Sequence, residues 1–124
     1  MPVLMYHGRF VAKVKDGSKK QTIRRKGKRR IKVGDFLSHR EWKGIAYALG
    51  AYQNTIKLSQ CTRVFDLRIL SKSLVTVDSR RLSAAERELL AVADGFDNWR
   101  QMFSWFSDLY AIPFEGDLIE WRNI

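Results

Sequence analysis

Apolar residues in the first two thirds of the chain follow mainly the patterns of short strands and turns. β-Branched and aromatic residues are densest at residues 54–70, which indicates one long strand or two joined strands. Phe10 and Val14 have the spacing of a short amphipathic helix, and Gly17 is expected to end it. Residues 40–53 fit either an apolar loop or a weak helix interrupted by glycines. Shorter strands are expected at 21–25, from 36, at 74–77 and at 117–121, with turns at 26–28 and 33–35.

The period of the pattern changes near residue 83 and predicts two helices. Ser83 and Glu86 have the spacing of a capping box, and Gly95 suits the left-handed position that follows a helix. Asp97 is expected to cap the second helix, which runs to about Tyr110. In the first helix one face carries Leu82, Ala85, Leu89 and Val92. The core stripe of the second is expected to be Trp99, Met102, Phe103, Phe106, Leu109 and Tyr110.

These elements favour an α+β fold in which a small barrel or curled sheet is braced by two or three helices, because helices and strands do not alternate regularly. The 124 residues hold no repeat or linker, so residues 1–124 are predicted to form one domain. The single cysteine, Cys61, excludes an internal disulfide and a multi-cysteine zinc site. We expect no metal, no cofactor, no membrane segment and a cytoplasmic location, since neither a long apolar run nor a leader pattern is present.

The net charge of +10 is concentrated in one segment. Residues 15–32 hold ten basic residues and one acid, a net charge of +9, whereas the other 106 residues hold 13 basic and 12 acidic ones. Crowded positive charges repel one another, and a phosphate backbone relieves that repulsion while releasing its counterions. The segment therefore favours a surface that binds a polyanion. A solvated loop that aids solubility and an adaptor for an acidic protein remain alternatives.

The start of the same segment carries a motif. Residues 17–24 read G-S-K-K-Q-T-I-R and are followed by Val33-Gly34-Asp35. This resembles the G-x-K-x-x-T-x-R signature and V-G-D-type turn of the ASCH domain family. Residues 40–44 and the pieces AVADGFDNWRQMFSWF and AIPFEGDLIEW resemble its phage-type branch, so the likeness covers nearly the whole chain.

The resemblance implies a PUA-like fold, that is, a small β-barrel flanked by helices, with an RNA-related cleft beside it. Small bacterial members are amidohydrolases that act on N4-acetylcytidine, and other members are ribonucleases. Carried over to this sequence, the catalytic set is Lys19, Thr22 and Asp94. The amidohydrolases have glutamate where this chain has Asp94, and they do not have so dense a basic segment, which favours a polymer as the ligand.

The prediction from the sequence is thus an RNA- or nucleic-acid-binding ASCH module with a nucleotide-sized cleft beside the basic segment. The alternative is an ASCH-type hydrolase of N4-acetylcytidine or RNA, and a nucleoside is then a ligand. Both require Lys19, Thr22 and Asp94 to share one cleft. The predicted nucleic-acid-binding residues are Lys20, Arg24, Arg25, Lys26, Lys28, Arg29, Arg30 and Lys32.

A few residues outside the motif have more than one interpretation. His7 and His39 lack metal-ligand spacing and are expected to be surface or hydrogen-bonded histidines. Cys61 is expected to be a buried apolar residue. The aromatic residues in the ambiguous segment either stack on unpaired bases or close one end of the barrel: Trp42, Tyr47 and Tyr52.

Overall fold

The computed structural model describes residues 1–45 and 47–124, and its fold is α+β with seven strands and three helices in those residues. In chain order the elements are β1 (Val3–Met5), α1 (Gly8–Asp16), β2 (Gln21–Arg25), β3 (Phe36–Lys43), β4 (Tyr52–Ser71), β5 (Leu74–Val77), β6 (Arg80–Arg81), α2 (Ala84–Ala93), α3 (Trp99–Leu109) and β7 (Phe114–Asn123).

The 20-residue strand β4 is the central strand of one curled sheet. Along one edge β4 pairs antiparallel first with β3 and then with β5, and along the other edge it pairs with β7. β2 extends the sheet beyond β7, and β1 pairs in parallel with β3. The sheet is therefore a mixed, half-closed barrel in which β1, β2 and β6 are edge strands.

The concave side of the sheet and the three helices enclose the apolar core. α1 contributes Phe10 and Val14, and α3 contributes Met102 and Phe106, all of which are buried. Side chains from alternate positions of the strands, such as Leu67 of β4, meet them there because alternate strand residues point to the same face. The residues that follow α1 and α2 lie beside β1 and β2 in this arrangement.

Several sequence predictions are confirmed. β2 and β5 have the predicted bounds, and residues 54–70 lie in one long strand. The capping box of α2 is formed, with the Glu86 backbone N–H 3.1 Å from Ser83 Oγ and the Ser83 N–H 3.0 Å from Glu86 Oε1. Gly17 and Gly95 follow their helices in the left-handed conformation, with φ of 84° and 101°.

Other predictions are wrong or incomplete. Residues 40–53 form neither a loop throughout nor a helix, because β3 and β4 pair there as far as Lys43 opposite Tyr52. Asn98 rather than Asp97 caps α3, accepting a hydrogen bond from the Gln101 N–H at 2.8 Å. The short strands β1 and β6 were not predicted, since each is too short to show a period.

The apolar face predicted for α2 is not its core face. Leu89 and Val92 are 71% and 58% exposed, and the helix buries Leu90 and Ala91 instead. In the part of the chain that the structure describes, no helix has both the length and the apolar character needed to span a bilayer.

Candidate functional site

A cleft of about 170 Å³ opens between β1, β2, α1 and α3. Aromatic side chains make much of its wall: Tyr6, Phe10, Phe96, Trp105 and Tyr110. Three motif residues, Lys19, Thr22 and Arg24, line it as well, together with Asp94. The structure thus brings together, in one concavity, residues that lie up to 75 positions apart in the chain.

The end of α2 places Asp94 in this cleft. Helix α2 ends in a Schellman motif, in which the Phe96 N–H bonds to the Ala91 carbonyl at 2.9 Å and the Gly95 N–H to that of Val92 at 3.1 Å. A Cβ on Gly95 would lie 2.9 Å from the Phe10 ring, so only glycine lets this turn approach α1 so closely. The Schellman motif therefore fixes Asp94 at the C-terminal end of α2, where it lines the cleft.

Lys19 and Asp94 form a buried ion pair. The Lys19 Nζ lies 2.5 Å from the Asp94 carbonyl oxygen and 3.3 Å from Asp94 Oδ1, and the two residues are 2% and 4% exposed. Burial lowers the pKa of Lys19 and raises the pKa of Asp94, and the attraction between the two charges opposes both shifts. The Phe10 ring, with its centre 5.0 Å from Nζ, covers the pair.

Thr22 and Arg24 lie two residues apart on β2 and so face the cleft together. The Arg24 Nε donates a hydrogen bond to Thr22 Oγ1 at 3.2 Å. The Arg24 guanidinium also lies over the Tyr6 ring, 4.9 Å from its centre. This arginine is therefore held from two sides, and within residues 1–45 and 47–124 it forms no ion pair.

A chain of buried polar groups that the sequence reasoning missed runs from the cleft into the sheet. The Tyr6 hydroxyl lies 2.8 Å from His39 Nδ1, and His39 Nε2 lies 2.6 Å from Ser59 Oγ. His39 and Ser59 are fully buried. No motif marks these residues, and β1, which carries the chain up to Tyr6, has only three residues.

The basic segment forms a groove next to the cleft. Two adjoining concavities of about 430 Å³ and 790 Å³, here called the basic groove, lie between the N-terminal residues and the loop from β2 to β3. Arg24 lines both the cleft and the basic groove, so the two adjoin at this side chain. The cationic residues of the basic groove are Arg24, Arg25, Lys28, Arg29, Arg30 and Lys32.

Three of the predicted nucleic-acid-binding residues are paired with carboxylates or lie outside the basic groove. Arg30 forms a two-pronged pair with Asp117, with Nε and Nη2 each 2.7 Å from a carboxylate oxygen. Lys26 pairs with Asp66 and Glu115. Lys20 faces a separate groove with Arg63 and Arg122, away from the cleft. The basic groove therefore offers fewer free charges than the sequence suggests.

The remaining candidate residues cap a helix, pack in the core or lie on the β3–β4 hairpin. His7 caps α1 by accepting the Arg9 N–H at 3.2 Å, and His39 is the hydrogen-bonded core histidine described above. Cys61 is 2% exposed in the core, as predicted. The tip of the β3–β4 hairpin projects its aromatic residues outward, with Tyr47 90% and Tyr52 61% exposed, so they do not close the barrel. Trp42 packs against Tyr47, with ring centres 4.9 Å apart.

Comparisons with protein-family models, with curated proteins and with solved structures found no match to this chain. The cleft and the basic groove are therefore the features that bear on its function.

Proposed function

We propose that the chain is an RNA- or nucleic-acid-binding module of the ASCH type with a PUA-like fold. A base enters the cleft, and the basic groove binds the phosphates that continue from it. The observation that carries this proposal is the position of Arg24, which lines both concavities. Contacts of this kind are made to the backbone and to an unpaired base, as is usual for single-stranded RNA.

The size and lining of the cleft support a single base as its occupant. About 170 Å³ is well below the roughly 300–1,000 Å³ of pockets that enclose drug-sized ligands. The walls combine aromatic rings with a few polar groups, among them the Thr22 hydroxyl and the Arg24 guanidinium. Aromatic rings stack on any base, and each such contact contributes about 1–3 kcal/mol.

The experiment measures the affinity for a fluorescently labelled single-stranded RNA across a series of salt concentrations. If about six phosphates are bound, log K falls against log salt with a slope of about −4. Replacing Lys28 and Arg29 by alanine should reduce the slope by about 0.7 for each phosphate that is no longer neutralised. Arg30 is left unchanged, because its removal would leave the Asp117 carboxylate without its partner.

The matched control removes two positive charges elsewhere. Lys72→Ala with Arg100→Ala lowers the net charge equally but leaves the basic groove intact. We expect this variant to keep nearly the full slope. RNA binding that ignores salt, or an equal loss in both variants, would contradict the proposed groove. An acidic protein that competes with RNA more strongly than unlabelled RNA does would favour the adaptor alternative.

Hydrolysis is the second candidate, because a buried lysine–aspartate pair lies in the same cleft as the Thr22 hydroxyl. A threonine attacks an acyl carbon only when a base accepts its proton, and a lysine with a lowered pKa can be that base. Here the Lys19 Nζ bonds to Asp94, and Thr22 Oγ1 accepts from Arg24. Hydrolysis therefore requires Lys19 to turn from Asp94 toward Thr22, which is why binding is proposed first.

The hydrolase candidate is tested by incubating the protein with N4-acetylcytidine and, separately, with labelled RNA. If the assigned residues act, Thr22→Ala and Lys19→Ala abolish turnover of the nucleoside, and Thr22→Ser retains part of it. Turnover that persists in both alanine variants would remove Lys19 and Thr22 from the catalytic set. The Lys28→Ala, Arg29→Ala variant should leave nucleoside turnover intact, because both residues lie outside the cleft.

A further inference from the structure

The buried chain from Tyr6 through His39 to Ser59 supports one edge of the cleft. Both ring nitrogens of His39 have a partner, at 2.8 Å and 2.6 Å, and the ring packs against Trp121 with centres 4.4 Å apart. A buried, fully hydrogen-bonded histidine has little freedom to reorient. The Tyr6 hydroxyl is thereby tethered to the core of the sheet.

The tethered ring of Tyr6 is the surface on which Arg24 rests. The guanidinium carbon lies 4.9 Å from the centre of the ring, and the Arg24 Nε bonds to Thr22 Oγ1 at 3.2 Å. An arginine held by its Nε and by one face presents its two terminal nitrogens as a planar fork. Such a fork matches two oxygens of a phosphate better than a lysine ammonium does.

The charges around Arg24 leave this fork for a ligand. Arg30 is satisfied by Asp117, and Lys26 by Asp66 and Glu115, whereas Arg24 has no carboxylate partner in the described part of the chain. Arg24 is also half-buried, so an oxygen that binds it is partly shielded from water. A charge-assisted bond gains strength in such surroundings.

We infer that Tyr6, backed by His39 and Ser59, is a positioning residue that holds Arg24 for the phosphate of the nucleotide whose base occupies the cleft. The site then takes a nucleotide, free or within a strand, in preference to a nucleoside. This inference rests on the proposed function, since it presupposes a base in the cleft. It adds Tyr6, which no motif marks, and a preference for the phosphorylated ligand.

The test compares the affinities of the four ribonucleosides with those of their 3′- and 5′-monophosphates by titration calorimetry at constant salt. We expect at least one monophosphate to bind about tenfold more tightly than its nucleoside, the effect of one good charge-assisted contact. Arg24→Lys keeps the charge but not the fork, and it should remove most of this preference. Arg81→Lys, on the distant strand β6, is the matched control and should retain it.

The role of Tyr6 is separated from a merely structural one by a double-mutant cycle. Tyr6→Leu should lower the phosphate preference in the wild-type background but not in the Arg24→Lys background, because the residue acts through Arg24. Tyr6→Phe keeps the ring under the guanidinium and should restore part of the preference. Equal and additive losses in the two backgrounds would show that Tyr6 does not position Arg24.

The outcomes distinguish this inference from the proposed function. If RNA binds with the expected salt slope but monophosphates and nucleosides bind equally, the inference fails and the binding function stands. If neither RNA nor any nucleotide binds, the proposed function fails and the inference with it. If the preference exists but survives Arg24→Lys, the phosphate lies elsewhere and the inference is overturned. Thermal melting of each variant verifies that it is folded.

Discussion

At the scale of single residues, His39 is the group whose ionisation should most affect stability in mildly acidic solution. Burial and the positive charges of Arg24, Lys57 and Lys19 lower its pKa from 6.5 to about 4. In the unfolded chain His39 binds a proton near pH 6.5, so the unfolded state binds more protons between pH 6.5 and 4. Stability therefore falls as the pH decreases through this range.

We expect the free energy of unfolding to fall by about 2–3 kcal/mol between pH 7 and pH 4.5 on account of His39, at about 1.4 kcal/mol for each unit of pKa difference. Urea denaturation at several pH values measures this. His39→Gln, which does not titrate, should flatten the dependence, and His7→Asn, which keeps the cap of α1, should not. An unchanged pH dependence in His39→Gln would assign the effect to carboxylates whose pKa the fold lowers, such as Asp66 and Glu115 beside Lys26.

At the scale of elements, the tip of the β3–β4 hairpin stands apart from the core. Ile45 and Leu49 are 80% and 107% exposed, whereas the strands beneath them pair regularly up to Lys43 opposite Tyr52. Replacing Ile45 or Leu49 singly by serine should therefore change the free energy of unfolding by less than about 0.5 kcal/mol. Ile69→Val, in the buried part of β4, should cost about 0.5–1.5 kcal/mol.

Urea denaturation of the three variants provides that comparison. A decrease above about 1 kcal/mol in the tip variants would mean that the tip packs against something, and a dependence on protein concentration would identify a second copy of the chain.

Some features of these elements could be predicted from the sequence, and others could not. The capping box of α2 and the glycines after α1 and α2 depend on local interactions, so the neighbouring residues were enough to predict them. The spacing of the motif marked Lys19, Thr22 and Arg24, and the resemblance added Asp94; the structure places all four in one cleft. The contact between Tyr6 and His39 was missed because it forms through β1–β3 pairing, 33 residues apart, and nothing local signals it.

Two predictions were wrong because the spacing of residues along the chain does not show what packs or pairs against them. The spacing of Leu89 and Val92 predicts a core face, but tertiary packing turns the opposite side of α2, with Leu90 and Ala91, toward the core. In the same way, the glycines within residues 40–53 mimic a broken helix, yet residues 40–43 pair as strand β3 with the start of β4. Apolar spacing shows that a face exists, and only packing decides whether it is buried.

At the scale of the whole molecule, the charge of residues 15–32 is partly compensated by distant acids. Lys19, Lys26 and Arg30 are neutralised by carboxylates from the end of α2, from β4 and from β7. Lys28, Arg29 and Lys32 are exposed and form no ion pair within the described residues. The fold thus pairs Lys19, Lys26 and Arg30 with carboxylates and leaves the other three cations as an unpaired cluster in the basic groove, at the cost of repulsion among them.

This division predicts that stability and binding change in opposite directions when the unpaired cluster is removed. Replacing Lys28, Arg29 and Lys32 by glutamine should raise the free energy of unfolding at low salt by about 0.5–1 kcal/mol, because like charges no longer repel one another, and should weaken RNA binding. Added salt should erase the stability gain by screening the same repulsion in the wild type. Urea denaturation measures the stability and fluorescence anisotropy measures the RNA affinity, each at about 20–300 mM salt, a range over which the Debye length changes severalfold.

The control, in which Lys72, Arg81 and Arg100 become glutamine, removes three charges that lie apart and should change either quantity less. A decrease of stability in the cluster variant would show that these side chains support the fold, and unchanged RNA affinity would show that they do not serve the groove.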